Sequence, residues 1–334
     1  MAIDLLSVAP HEVSRDLKGY TVLFFGEPKS GKTTTAAKFP KALILAFEIG
    51  YLAIPGVMAQ PITKWAEFKQ ALKQLKDEKV QEQFETIVID TVDIAYDLCE
   101  KFICNQNSVS AIGDMPFGKG YAAAKKEFDE ALRSIPQMGY GLVMISHSQD
   151  KTFKDEDGRE YQQIVPTLAN QPRLVVDRMS DIIGYAHPVQ EEDGSTHTIL
   201  YMRGTPRFVA GSRFKYVPDY IDFTYENLVN AIADAIDKEA AEYDGKFVTN
   251  NVSQAHITTP EPNFDELMNQ FNTLVKKVQE ASGKDFGTTW APRIVEITDR
   301  HLGKGKKVSE MDRSQTEQLI LIIDDLTEAV GNGI

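Results

Sequence analysis

Short apolar runs bounded by turn residues recur at residues 21–25, 42–47, 86–89 and 141–146, each of a length suited to a buried strand. Between them, residues 33–39, 64–78, 92–105 and 121–135 space their apolar side chains as helices do. Strands alternating with helices predict an α/β fold, with a mainly parallel sheet flanked by helices. Farther on, Asp157-Gly158 sits in a polar stretch and predicts a β-hairpin projecting from that sheet. Residues 182–186, 198–203 and 207–215 read as further strands, with Glu191-Glu192-Asp193-Gly194 as the turn between the first two. A helical pattern over 225–240 closes this first domain, residues 1–240.

Residues 241–263 are polar, include Pro260 and Pro262, and have neither period, which is how a linker reads. Beyond it, 264–281, 290–302 and 313–330 form three helical patterns. The last carries Leu319, Ile320, Ile322, Ile323 and Leu326 on a broad apolar face, so a small helical domain is expected over 264–334.

Charge and composition narrow the function. A formal net charge of −13 argues against a surface that embraces nucleic acid throughout, since phosphate binding needs a concentrated positive face. The cationic loop His301-Leu302-Gly303-Lys304-Gly305-Lys306-Lys307 is a local exception, read as a solubilising joint between helices, a nucleic-acid contact or a partner-docking surface. Cys99 and Cys104 are the only cysteines and both fall in a helical pattern, so no disulfide framework or paired-cysteine zinc site is indicated. No signal-type apolar segment opens the chain and no run reaches membrane-span length, so a cytoplasmic protein without a membrane partner is expected.

The decisive chemistry is Gly26-Glu27-Pro28-Lys29-Ser30-Gly31-Lys32-Thr33, a G-x-x-x-x-G-K-[ST] loop between a strand and a helix. Its glycines let successive N–H groups turn inward on phosphates, and the following helix adds partial positive charge at its start, through Thr34. Lys32 is expected on the β- and γ-phosphates of ATP, and Thr33 on Mg2+. The strand Thr86-Ile87-Val88-Ile89 ends in Asp90, placed to hold the magnesium, with Asp93 a second candidate. Glu48 follows the strand over 42–47, taken as the neighbour of the P-loop strand, and precedes Gly50, so its carboxylate is expected to activate water. Ser146-His147-Ser148 offers polar groups at the same sheet edge, where a side chain can sense the γ-phosphate.

From residue 13 to residue 237 these motifs resemble the RecA-like ATPase core, and most closely the phage-encoded RecA-core proteins of the single-strand annealing and recombination type. The resemblance implies ATP hydrolysis, with Glu48 as the catalytic glutamate and His147 where the family usually has glutamine. It also implies single-stranded DNA binding by two loops. One spans residues 105–120, with Asn107, Ser108, Ser110 and Phe117-Gly118-Lys119-Gly120; the other spans 149–173, with Lys151, Phe153, Lys154, Arg159 and Tyr161 among the acids Asp155, Glu156, Asp157 and Glu160. Filament-forming relatives complete each site with cations from a neighbouring subunit, a role that falls on Arg213 and Lys215, with Arg203 and Arg207 competing. Homo-oligomers, ring or filament, and phage replication or recombination proteins are the implied partners. A helicase loader or motor working through a protein partner, and a nucleotide switch with little turnover, are the alternative readings.

Overall fold

The computed structural model describes residues 5–251 and 263–331; within the expected linker, 252–262 lie outside the described residues. The chain divides into two compact units, Pro10–Thr258, and Met1–Ala9 with Thr259–Ile334. In the first, the elements run β1 (Val13–Ser14), β2 (Thr21–Gly26), α1 (Lys32–Ala36), β3 (Ala42–Ala46), β4 (Met58–Pro61), α2 (Trp65–Gln74), α3 (Glu78–Gln83), β5 (Thr86–Asp90), α4 (Val92–Gln106) and α5 (Lys119–Gln137). They continue with β6 (Gly141–Lys154), β7 (Glu160–Pro166), α6 (Asn170–Met179), β8 (Ile182–Gln190), β9 (Thr196–Tyr201), β10 (Gly211–Ser212), β11 (Tyr220–Asp222), α7 (Tyr225–Ala240) and β12 (Val248–Thr249).

The main sheet has the order β11-β9-β8-β2-β6-β5-β3-β4, with β10 on β8 and β7 on β6. From β4 to β8 every pairing along this path is parallel, and β7, β9, β10 and β11 pair antiparallel. The central strands are continuous apolar runs because both faces are covered. Leu23, Ile87, Ile89, Leu142 and Met144 meet α2, α4, α5 and α6 on one face. Val22, Phe24, Val88, Val143 and Ile145 meet α1 and α7 on the other.

Three sequence expectations change. β3 is not the neighbour of β2, because β6 and β5 stand between them. Residues 207–215 do not form one strand: Phe208 makes isolated bridges to Ile164 and Thr205, Gly211–Ser212 pairs with β8, and Phe214 turns inward as a buried anchor. The loop read over 149–173 is mostly strand, and its last residues, from Asn170, begin α6. Inside the expected linker, Val248–Thr249 pairs in parallel with Val13–Ser14, and Arg15 donates to Asp237 at 2.8 Å and to Asn250 at 2.9 Å. That short strand is held by backbone pairing and polar contacts, which no apolar period announces.

The second unit holds α8 (Phe264–Ser282), α9 (Ala291–Leu302) and α10 (Thr316–Gly331). Leu319, Ile322 and Leu326 of α10 are fully buried against Phe271, Val278 and Ile297, as the apolar face predicts. In the cationic loop, His301 Nε2 lies 2.8 Å from Asp325, while Lys307 lies 3.9 Å from Glu310.

Under the sheet, the Phe128 ring packs edge-on to Tyr96 at 5.1 Å and beside Trp65 at 6.2 Å, and is fully buried. Phe128→Ala is expected to cost about 3–5 kcal/mol, read as a lowered urea midpoint with the slope unchanged.

Candidate functional site

Gly26, the last residue of β2, lies between His147 on β6 and Ala186 on β8. A Cβ there would stand 2.1 Å from the Ala186 carbonyl oxygen, so only glycine lets the loop leave the sheet at this point. Gly31 caps α1 with φ +83°, in the left-handed region that suits glycine. The helix itself runs only from Lys32 to Ala36. Its dipole is correspondingly small, and the expected contribution from a helix start is reduced to that of the loop N–H groups and the Lys32 charge.

Lys32 is buried, and its Nζ donates to the Gly26 carbonyl at 2.9 Å, the Glu27 carbonyl at 2.6 Å and Ser30 Oγ at 3.3 Å. Burial pushes the amine down to about 8, against the opposing pull of Asp90, Glu48, Asp93 and Glu27. Glu27 in turn stands 3.5 Å from His187 of β8.

The Thr33 hydroxyl donates to Asp90 Oδ2 at 2.8 Å. Asp90 is buried at the tip of β5, where desolvation raises its carboxyl above the usual range while Thr33 and Lys32 oppose the shift. A Cβ on Gly50 would lie in ordinary contact with both groups, 3.7 Å from Thr33 Oγ1 and 3.8 Å from Asp90 Oδ2. Thus a hydroxyl and a buried carboxylate stand side by side next to the Gly50 backbone. All the donors are oxygen, and among the described residues no group of three or more His, Cys, Asp or Glu forms a dedicated metal cage. Such a site fits Mg2+, which takes one or two protein oxygens and completes its shell with phosphates and water.

Glu48 reaches this edge by a route the sequence did not suggest. The N–H groups of Phe47 and Glu48 both donate to the Asp90 carbonyl, at 2.7 and 2.9 Å, and fold the chain over the tip of β5. From there Glu48 Oε2 lies 2.9 Å from His147 Nε2. The other imidazole nitrogen, Nδ1, is buried without a hydrogen-bond partner. The carboxylate of Asp93, expected as a magnesium candidate, turns elsewhere: it accepts from Ser146 Oγ at 2.8 Å and from the His147 N–H at 3.2 Å. Sequence reasoning missed this role, since an acid in the first turn of a helix is ordinary dipole compensation and gives no sign of a distant partner.

The other predicted residues lie apart. Arg213 donates to the Arg178 carbonyl at 2.9 Å and pairs with Asp181 at 3.3 Å, next to the start of β8 and so at the opposite edge of the sheet from the P-loop. Lys215 pairs with Glu242 at 2.8 Å, which raises its amine. Neither shares a strand with the other. Arg203 donates to the Val217 carbonyl at 3.2 Å and pairs with Asp219. In the first candidate DNA loop, Phe117 is 98% exposed and Asn107 closes back on the Ile103 carbonyl. In the second, β6 and β7 form a ribbon paired from Ser148–Pro166 to Lys154–Glu160. On it Phe153 and Tyr161 stack at 5.8 Å and Lys151 stands 5.6 Å over the Phe153 ring, while Lys154 and Arg159 pair with Glu160 and Asp157.

With this geometry in hand, the AAA domain family matches residues 18–214. The SPbeta prophage-derived protein YorG of Bacillus subtilis (strain 168) is 30% identical over 335 residues, covering 98% of this chain and 99% of that protein. The flagellar accessory protein FlaH of Methanocaldococcus jannaschii is similar over 55% of this chain and 77% of its own, at 6% identity and a TM-score of 0.31, a likeness too low to carry an argument.

The depressed Lys32 amine gives nucleotide binding a pH dependence. In the free protein it loses its proton as pH rises through about 8, whereas bound phosphates favour the ammonium and raise its pKa. ATP binding is therefore expected to take up a proton at alkaline pH, and to weaken above that midpoint by up to about tenfold per pH unit. Calorimetry in buffers of different ionisation enthalpy reads the uptake, which Lys32→Arg should remove.

Proposed function

The chain belongs to the AAA domain family of P-loop ATPases, and on that premise we propose that it hydrolyses magnesium-ATP to ADP and phosphate while acting on single-stranded DNA in phage recombination or replication. The observation that carries the ATPase half is the convergence of Lys32, Thr33, Asp90 and Glu48 on one edge of the sheet, from three segments: the start of α1, the end of β5 and the turn after β3. Lys32 Nζ exchanges its loop carbonyls for phosphate oxygens and orients them. Thr33 Oγ1 and Asp90 are the residues that would hold Mg2+. That ion supplies neutralisation of charge on the β- and γ-phosphate oxygens. Glu48 accepts the proton of the attacking water, with its carboxylate fixed by His147 Nε2.

Support for the DNA half is the ribbon. The stacked Phe153 and Tyr161 with Lys151 offer a face on which bases stack, and the ribbon grows from the strand whose tip meets Glu48. A prophage-derived relative over nearly the whole length supports the phage setting. A cation supplied in trans by a homo-oligomer, Arg213 or Lys215, must first leave Asp181 or Glu242.

A second reading, a helicase loader or motor that works through a protein partner, is favoured by the net charge of −13 and by the ribbon's own acids, Asp150, Asp155, Glu156, Asp157 and Glu160.

ATP turnover by the purified protein, with and without oligo-dT, separates the two. Stimulation by DNA is expected, with Lys32→Ala abolishing turnover and Glu48→Gln lowering kcat by about 100-fold or more. Turnover indifferent to DNA supports the partner-driven motor, and absence of turnover removes the ATPase.

A further inference from the structure

We propose that Asp93 is a positioning residue for hydrolysis: it holds the tip of β6 so that His147 presents Nε2 to Glu48. The inference rests on the ATPase reading above and extends it to a residue outside the nucleotide cradle.

Two observations carry it. The first is the set of donors on one carboxylate. Ser146 Oγ lies 2.8 Å from Oδ1, and the His147 N–H donates to Oδ2 at 3.2 Å, so Asp93 grips consecutive residues of β6 on side chain and backbone together. The Thr167 N–H and hydroxyl both donate to the His147 carbonyl, at 3.0 and 3.4 Å. Asp93 thereby joins α4 to the end of the sheet-paired part of β6 and, through His147, to Thr167 just past β7. Burial raises the carboxyl, while these hydrogen bonds hold it toward the ionised form.

The second observation is what the grip leaves to His147. With its N–H on Asp93 and its carbonyl on Thr167, the His147 backbone is fixed on both sides. Its ring has one polar contact, Nε2 to Glu48 at 2.9 Å, and Nδ1 has none. No hydrogen bond to Nδ1 orients the ring, so the direction of Nε2 depends on where the backbone is held. A shift of the strand tip by a fraction of an ångström lengthens the contact to Glu48, and the water-activating carboxylate loses its support.

Double-mutant experiments distinguish positioning from a structural role. Asp93→Asn is expected to lower kcat about tenfold with KM and the affinity for a fluorescent ATP analogue unchanged. In the Glu48→Gln background it should cause little further loss, because it acts through Glu48. Losses that multiply in the double variant, or that follow KM, overturn the proposal.

NMR of the His147 imidazole supplies a readout that does not need turnover. The change that Glu48→Gln makes in the His147 Nε2 nitrogen chemical shift is expected to shrink in the Asp93→Asn background, because the two rows of the cycle cancel direct effects of each substitution. An equal change in both backgrounds overturns the assignment. A wild-type chain that turns over no ATP removes the ATPase reading, while the imidazole cycle still decides whether Asp93 sets the contact.

Discussion

The hydrogen bond from the Thr33 hydroxyl to Asp90 joins residues 57 positions apart, and the rest of the site depends on the sheet that brings them together. One strand, β6, separates the strand that leads into the P-loop from the strand that ends in the acid. Their registers on β6 set the heights: Asp90 lies opposite Ile145, and Gly26 opposite His147, two residues farther on. The loop therefore starts just above the acid and folds back over it. Both faces of these strands are packed by helices, so the tips cannot drift independently.

Burial of this edge works against every charge in it. Lys32 is pushed down and Asp90 and Asp93 are pushed up, each by desolvation first, and each is partly held in its ionised form by the others or by hydrogen bonds. Such a cluster is poised for a ligand that brings the missing charges, phosphate oxygens beside Lys32 and a divalent cation beside Asp90. Glu48 differs in being partly exposed, which suits a group that must meet water and pass on its proton.

Much of this was legible from sequence because its signals are local. The P-loop spacing, the apolar runs and the Asp157-Gly158 turn depend on a few adjacent residues, and the structure has the strands, helices and ribbon they predict. What was not legible depends on which strand lies beside which. Glu48 was read as the tip of the strand next to β2, yet β3 lies two strands farther away and reaches the site only because Phe47 and Glu48 bend onto the Asp90 carbonyl. Arg213-Phe214-Lys215 alternates as a strand does, but the buried Phe214 is a turn's anchor, and its neighbours pair with Asp181 and Glu242. Asp93 was read as a second magnesium candidate, and its hold on β6 gave no signal, since its partners Ser146 and His147 come more than fifty residues later.

The most direct test of the central claim is a crystal structure with Mg2+ and a non-hydrolysable ATP analogue. The account predicts triphosphate in the 26–33 loop, Lys32 Nζ moved from the Gly26 and Glu27 carbonyls onto phosphate oxygens, and the Thr33 hydroxyl turned from Asp90 to the metal. An analogue bound elsewhere, or a Thr33–Asp90 hydrogen bond left intact with the metal distant from both, would contradict it.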